Sequence, residues 1–266
     1  MTDRHSGAAS AIKFIEFVGL PGAGKTTVAA RLETALRDNG IRTVSRSVVL
    51  ADNSPFIWRQ CRRLLIVTRN ISRCWHLYYL SLKLILASGQ KSVRDMVKVT
   101  WNVWSVLALM ANSRAAGHHI VVVDQGLLQA VWSIQLRSTK ALSFDSWSKL
   151  LLTAGITDIL FIHIQSEIAI ARNRVSTRVH KGTRLDPRAQ EDIADRWLAA
   201  SANMTNLIHL THGILPHDQA EYRLITVGNN SISPEGAAAE IVSAFLAQEN
   251  LAQDQNRRAA ASVLLR

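Results

Sequence analysis

The chain has 266 residues, 48% of them hydrophobic and 19% charged, and a formal net charge of +11. That composition excludes global disorder, and the length suits one large domain or one domain carrying a sizeable insertion. Two cysteines, Cys61 and Cys74, exclude a disulfide framework, and the polar start MTDRHSGAAS has no apolar signal stretch, so a reducing, cytoplasmic setting is expected.

Residues 1–11 read as a flexible N-terminus. Residues 12–18 are short, apolar and ended by Gly19, which suits a buried strand. Residues 25–38 read as a helix with Val28, Leu32, Ala35 and Leu36 on one face and Asn39-Gly40 as its stop. A second strand is expected over 41–50, ending in the turn cluster Ala51-Asp52-Asn53-Ser54-Pro55. Residues 55–116 show no strand pattern and read as a helical insertion, broken near Ser88-Gly89 into two or three helices. Strand patterns return at 118–126, 157–164 and 221–228, with helices expected over 127–136, 144–152, 167–175, from about Pro187, and over 234–248. Residues 250–266 read as a tail, either frayed helix or disordered. Near-continuously apolar strands alternating with helices imply a parallel sheet of about five strands covered on both faces, one α/β domain over 12–249.

Gly19-Leu20-Pro21-Gly22-Ala23-Gly24-Lys25-Thr26 matches G-x-x-x-x-G-K-[ST] without a mismatch, between a strand and a helix. Glycines let such a loop turn its N–H groups inward as an anion nest, and the helix N-terminus adds partial positive charge. The expected nucleotide contacts are therefore Gly19, Gly22, Ala23, Gly24, Lys25, Thr26 and Thr27. Lys25 would reach the β- and γ-phosphates of ATP, and the Thr26 hydroxyl would ligate Mg²⁺. A chance glycine turn is the bland alternative, and the strand–loop–helix context argues against it. Asp124 ends the run Ile120-Val121-Val122-Val123, the apolar strand plus acid of a Walker B element. It is expected to hold Mg²⁺ directly or through water, the alternative being an ordinary turn aspartate.

The P-loop, the strand end VVVDQG and the stretch SEIAIARNRVSTRVHKGTRLD together resemble the thymidylate kinase and deoxynucleoside kinase group of P-loop kinases, over residues 12–52 and 118–228. The resemblance implies a P-loop NTPase three-layer sandwich with a helical insertion. It also implies ATP-dependent phosphoryl transfer to a small hydroxyl or phosphate acceptor, nucleosides and nucleotides among them. In that group the fourth strand leads into roughly P-E-x-A-x-x-R and then an Arg-rich lid. Ser166-Glu167-Ile168-Ala169-Ile170-Ala171-Arg172 takes that place, with Arg174, Arg178, Lys181 and Arg184 behind it. By that resemblance Arg178 and Arg184 would cover the transferred group while Lys25 stabilises the leaving charge. A merely solvated basic loop is the alternative.

Two positions depart from the group. Its usual Asp-Arg pair, whose Arg contacts the acceptor, is here Asp124-Gln125. Asp52 stands where the group has an acceptor-binding or proton-accepting carboxylate, but without the usual Glu-Pro pair; it is expected to act as base or acceptor ligand, or else as a turn and N-cap residue. Gln125 also occupies the place where motor ATPases carry an acid. Ser88-Gly89-Gln90 lacks most of a transporter-ATPase signature, and no Asn-Lys-x-Asp guanine motif occurs, which sets those classes aside.

The basicity is concentrated. Residues 55–115 hold ten Lys or Arg against the single acid Asp95, which is +9 of the +11, and four of the seven tryptophans. Within the insertion, Val99, Val103, Val106 and Met110 form one apolar row and Val97, Trp101, Trp104, Ala108 and Ala111 another, so that helix is expected to be buried. Its uncharged run, 99–113, is too short to span a bilayer. Three roles stay open for the insertion. It can be plain packing with Arg and Lys stems over apolar surface. It can wall an acceptor pocket in which Trp and Arg stack on and clamp an anionic or polycyclic acceptor. It can be a face drawn to anionic lipid, a peripheral membrane contact through 55–115. Nucleic acid has no recognised binding motif in its favour. A non-catalytic ATP-binding protein that docks on a membrane or partner through the insertion is the alternative to a kinase. His209, His212 and His217 match no common metal spacing, and both cysteines sit in apolar helical surroundings that suit an inert role.

Overall fold

The computed structural model describes residues 12–50, 54–116, 120–136, 138–177, 193–215, 223–228 and 232–264. Five strands, β1 (Phe14–Val18), β2 (Thr43–Ser45), β3 (Ile120–Val123), β4 (Ile159–Gln165) and β5 (Leu224–Gly228), form one sheet in the order β2-β3-β1-β4-β5. Every neighbouring pair is parallel, with Phe14 opposite both Val121 and Ile159 and Ile162 opposite Ile225.

Strand side chains alternate between two buried layers. Ile15, Phe17, Val122 and Ile162 share a cluster with Val28, Leu32 and Leu36 of α1 (Lys25–Asp38) and Ile241 and Phe245 of α10 (Pro234–Leu264). Phe14, Val18, Val121 and Phe161 share the other with α5 (Val93–Ala116), α6 (Leu127–Gln135), α7 (Phe144–Thr153) and α9 (Ile193–Ile214), through Leu107, Leu128, Leu150 and Trp197. Each fully buried Phe here contributes about 1.5–3 kcal/mol relative to exposure, so the two layers clamp the sheet from both sides. The fold is the α/β P-loop NTPase sandwich, with a helical insertion between β2 and β3.

The second strand is shorter than the sequence pattern implies. It stops at Ser45, whose side chain accepts a hydrogen bond from the Ser47 amide at 3.2 Å and caps a single helical turn, α2 (Arg46–Val49). The insertion is three helices, α3 (Phe56–Arg69), α4 (Ile71–Ala87) and α5, with breaks at Asn70 and Ser88–Gly89. Only one of the two apolar rows of α5 is fully covered. Val99, Val103, Val106 and Met110 are buried, whereas Trp101 and Trp104 are partly buried and Val97 is exposed. The indoles are tied by their N–H groups, Trp101 to Gln60 Oε1 at 3.0 Å and Trp104 to Ser81 Oγ at 3.2 Å. Arg114 anchors the far end of α5, with Nη2 and Nε donating to Asp158 at 2.7 and 2.8 Å and its guanidinium over the Phe14 ring. The C-terminal helix runs on through Leu264, past the expected stop. Among the described residues no helix is long and apolar enough to cross a membrane.

Candidate active site

The loop between β1 and α1 is shaped by its glycines. Gly22 has φ +84°, and a side chain there would run into the Ala171 carbonyl oxygen on α8 (Ile168–Ser176). Gly24, with φ +96°, is the N-cap of α1 in a left-handed conformation that a β-carbon disfavours. The Thr27 amide donates to the Gly24 carbonyl at 3.0 Å as α1 begins, and the start of the helix puts the positive end of its dipole behind the loop. Lys25 is buried and folded back over this loop, its Nζ donating to the carbonyls of Gly19 at 2.7 Å and Leu20 at 2.8 Å. A polyphosphate tail offers better acceptors at the same place.

The fold brings Thr26 and Asp124 together, with Thr26 Oγ1 donating to Asp124 Oδ2 at 3.1 Å. Buried Arg46 holds the other carboxylate oxygen, Nη1 to Oδ1 at 3.5 Å. The helical turn that replaces the end of the expected strand is what carries this guanidinium to the site. Glu33, on α1, has its carboxyl pushed above the usual range, chiefly by burial, with Asp124 adding to the effect and Ser45 and Arg37 opposing it.

Glu16 is the second feature that sequence reasoning passes over. It sits in mid-β1, 2% exposed, and accepts from the amides of Leu127 at 2.8 Å and Gln129 at 3.0 Å at the start of α6. Burial pushes its carboxyl up to about 7, and these backbone donors hold it from rising further. A side chain at Gly126 would collide with this carboxyl. Gln129 completes the link, its Oε1 accepting from the Gly19 amide at 3.2 Å. A lone acid inside FIEFV was the available signal. His163 on β4 is held down to about 4, by burial first and then by the positive charge of Lys25, so it is neutral near pH 7.

Above the loop lies a cavity of about 650 Å³. Gly22, Gly24, Lys25, Thr26 and Thr27 form one wall. Phe56 and Arg63 of α3 and Lys98, Trp101 and Asn102 of α5 form the facing wall, and Gln125, Gln129 and Trp132 line it as well. Among the described residues the lining contains three cations and no acid. The basic run after β4 begins near the loop, where Arg174 Nη1 lies 3.5 Å from the Gly22 carbonyl. Asp52, Arg178, Lys181 and Arg184 lie outside the described residues. Of the two cysteines expected in apolar helical surroundings, Cys74 is buried, whereas Cys61 is exposed on α3.

No protein-family model and no curated protein matches this chain. Among solved structures it is similar to a deoxyadenosine kinase from M. mycoides, at 13% identity and TM-score 0.49 over 88% of this chain and 99% of that one. It is similar also to the APS kinase of Mycobacterium tuberculosis in complex with AMPPNP and APS, at 14% identity and TM-score 0.38 over 90% and 99%. A gluconokinase from Sinorhizobium meliloti aligns at 17% identity and TM-score 0.37 over 94% and 98%.

Proposed function

We propose that the protein is an ATP-dependent phosphotransferase acting on a small anionic acceptor. The observation that carries this is the two-walled cavity: the phosphate loop opens onto a facing wall of cations and aromatic rings, which nucleotide binding alone does not require.

The loop fits a nucleoside triphosphate because Gly22 has no room for a side chain and Lys25 already hovers over the loop carbonyls. The Thr26 hydroxyl and Asp124 carboxylate make the kind of hard-oxygen pair that Mg²⁺ takes. Thr26 and Asp124 would hold the ion, which would supply charge neutralisation to the phosphate tail when bound. Lys25 exchanges its two carbonyl acceptors for phosphate oxygens and stabilises the charge that gathers on the leaving β-phosphate. Arg46 keeps the Asp124 carboxylate aimed.

In the resembling kinase group an Arg after the Walker B aspartate meets the acceptor; here Gln125 lines the cavity instead, and Arg63 and Lys98 supply the cations from the insertion. They bind the acceptor's anionic group, and Phe56 and Trp101 flank its body. The acceptor oxygen attacks the γ-phosphorus, the bond to the bridging oxygen breaks, and the acceptor's proton passes to Asp52. Arg178 and Arg184 cover the transferred phosphoryl group, and ADP departs.

The test is a screen of a metabolite pool with Mg-ATP, detecting the compound that gains a phosphoryl group and the ADP formed. An anionic acceptor that raises ADP release by about tenfold or more over the basal rate is expected. If ATP binds and no compound raises ADP release, the chain is a nucleotide-binding protein and not a kinase.

A further inference from the structure

The outer face of the insertion is unlike a water-facing surface. On α4, Ile71, Trp75, Tyr79, Leu82 and Leu86 recur at spacings of four, four, three and four, which is one face of a helix. On α3, Ile57, Cys61 and Leu64 form a row with Trp58 and Leu65 beside it. Ile57, Trp58, Leu64, Leu65, Ile71, Trp75, Tyr79 and Leu86 are each more than half exposed. These helices already have a buried side, with Val67 of α3 and Cys74, Tyr78, Leu84 and Ile85 of α4 in the core. Eight large apolar side chains left bare on two consecutive helices mark an interaction surface.

Its charge selects the partner. The two helices carry six Lys or Arg and no Asp or Glu, and Arg62, Arg69, Arg73 and Lys83 are exposed among the apolar side chains. A second copy docked face to face would set like charge against like charge across a desolvated interface. Nucleic acid would match the charge but offers nothing to the aliphatic Ile57, Leu64, Leu65, Ile71 and Leu86. An anionic bilayer surface satisfies both halves. Aliphatic side chains enter the acyl boundary, Trp and Tyr rings settle at headgroup level, and Arg and Lys stems reach the phosphates. We propose that α3 and α4 dock the protein peripherally on an anionic lipid surface.

The test is sedimentation of the full chain with vesicles of phosphatidylcholine alone and of phosphatidylcholine with phosphatidylglycerol, while tryptophan emission is followed. Binding at least about tenfold stronger to the anionic vesicles, a blue shift, and release at about 0.5 M salt are expected. Arg73→Ala with Lys83→Ala should weaken binding about twenty-five-fold, roughly five-fold for each cation. Trp75→Ser with Tyr79→Ser should weaken binding and reduce the shift, to which Trp58 still contributes, and leave the melting temperature and ATP binding in place, since both side chains face outward. Equal binding to neutral vesicles would overturn the proposal. So would the absence of vesicle binding, and a dimer that the Trp75→Ser, Tyr79→Ser variant splits would then identify a second copy as the occupant. ATP titrations run beside these separate a failed surface from a failed active site.

Discussion

The two walls of the cavity are made of different material. The phosphate-loop wall is nearly contiguous in sequence and works through backbone amides, glycine conformations and one ammonium group. The insertion wall draws side chains from positions as far apart as Phe56 and Asn102, on two helices that only packing brings together. The first wall therefore suits any triphosphate tail, while the second is free to select what receives the phosphoryl group. Substitutions in one should stop the reaction whatever the acceptor, and in the other should change the acceptor and spare the donor.

The largest effect is expected at Lys25. Lys25→Ala should lower turnover by about 10²–10³-fold with every acceptor, as for loss of a charge-stabilising donor, measured as ADP release. Equal turnover would remove the phosphate-loop wall from the chemistry. Next, Gly22→Ala should destabilise the fold by about 1–3 kcal/mol in denaturant titrations, because a left-handed backbone and the Ala171 carbonyl both oppose a side chain. Nucleotide affinity should fall with it. Across the cavity, Arg63→Ala should raise the acceptor KM about tenfold or more, the loss of one charge-assisted hydrogen bond, with ATP affinity unchanged. A parallel loss of ATP affinity would mean that the walls are not separable.

The smallest effect sharpens how the walls are joined. Glu16 ties β1 to the start of α6, and Gln129 on α6 ties back to Gly19. The Glu16 carboxyl has an ordinary value of 4.5 and is raised to about 7 in the fold, so the native state holds more protons between those values. Its contribution to stability is full below about 4.5 and is lost as pH rises through 7. His163, lowered from 6.5 to about 4, acts in the opposite sense, with stability rising with pH across that range. Glu16→Gln should therefore remove the falling component and leave stability rising between pH 5 and 7, as urea unfolding at the two pH values would show. An unchanged slope would mean that Glu16 does not titrate in this window.

What is legible in the sequence follows the same division. The phosphate loop, α1 and Asp124 rest on local signals, and α1 spans Lys25–Asp38 as its apolar pattern implies. The end of β2 is not local: RSVVL suits a strand, yet the Ser45 cap and the reach of Arg46 to Asp124 turn it into a helix. Glu16 was visible as an acid in an apolar strand, but its purpose depends on amides more than a hundred residues away. The density of Arg and Trp in the insertion is plain from composition. Which of them face the cavity and which face outward, Trp101 against Trp75, is settled only by packing.

The most direct test of the central claim is a calorimetric titration of ATP with Mg²⁺ into the wild-type chain and into Lys25→Ala. One saturable site in the wild type, weakened about tenfold or more by the substitution, is the result this account predicts. Folded wild-type protein that gives no binding heat with any nucleoside triphosphate at several temperatures, or a Lys25→Ala variant that binds as tightly as the parent, would contradict it.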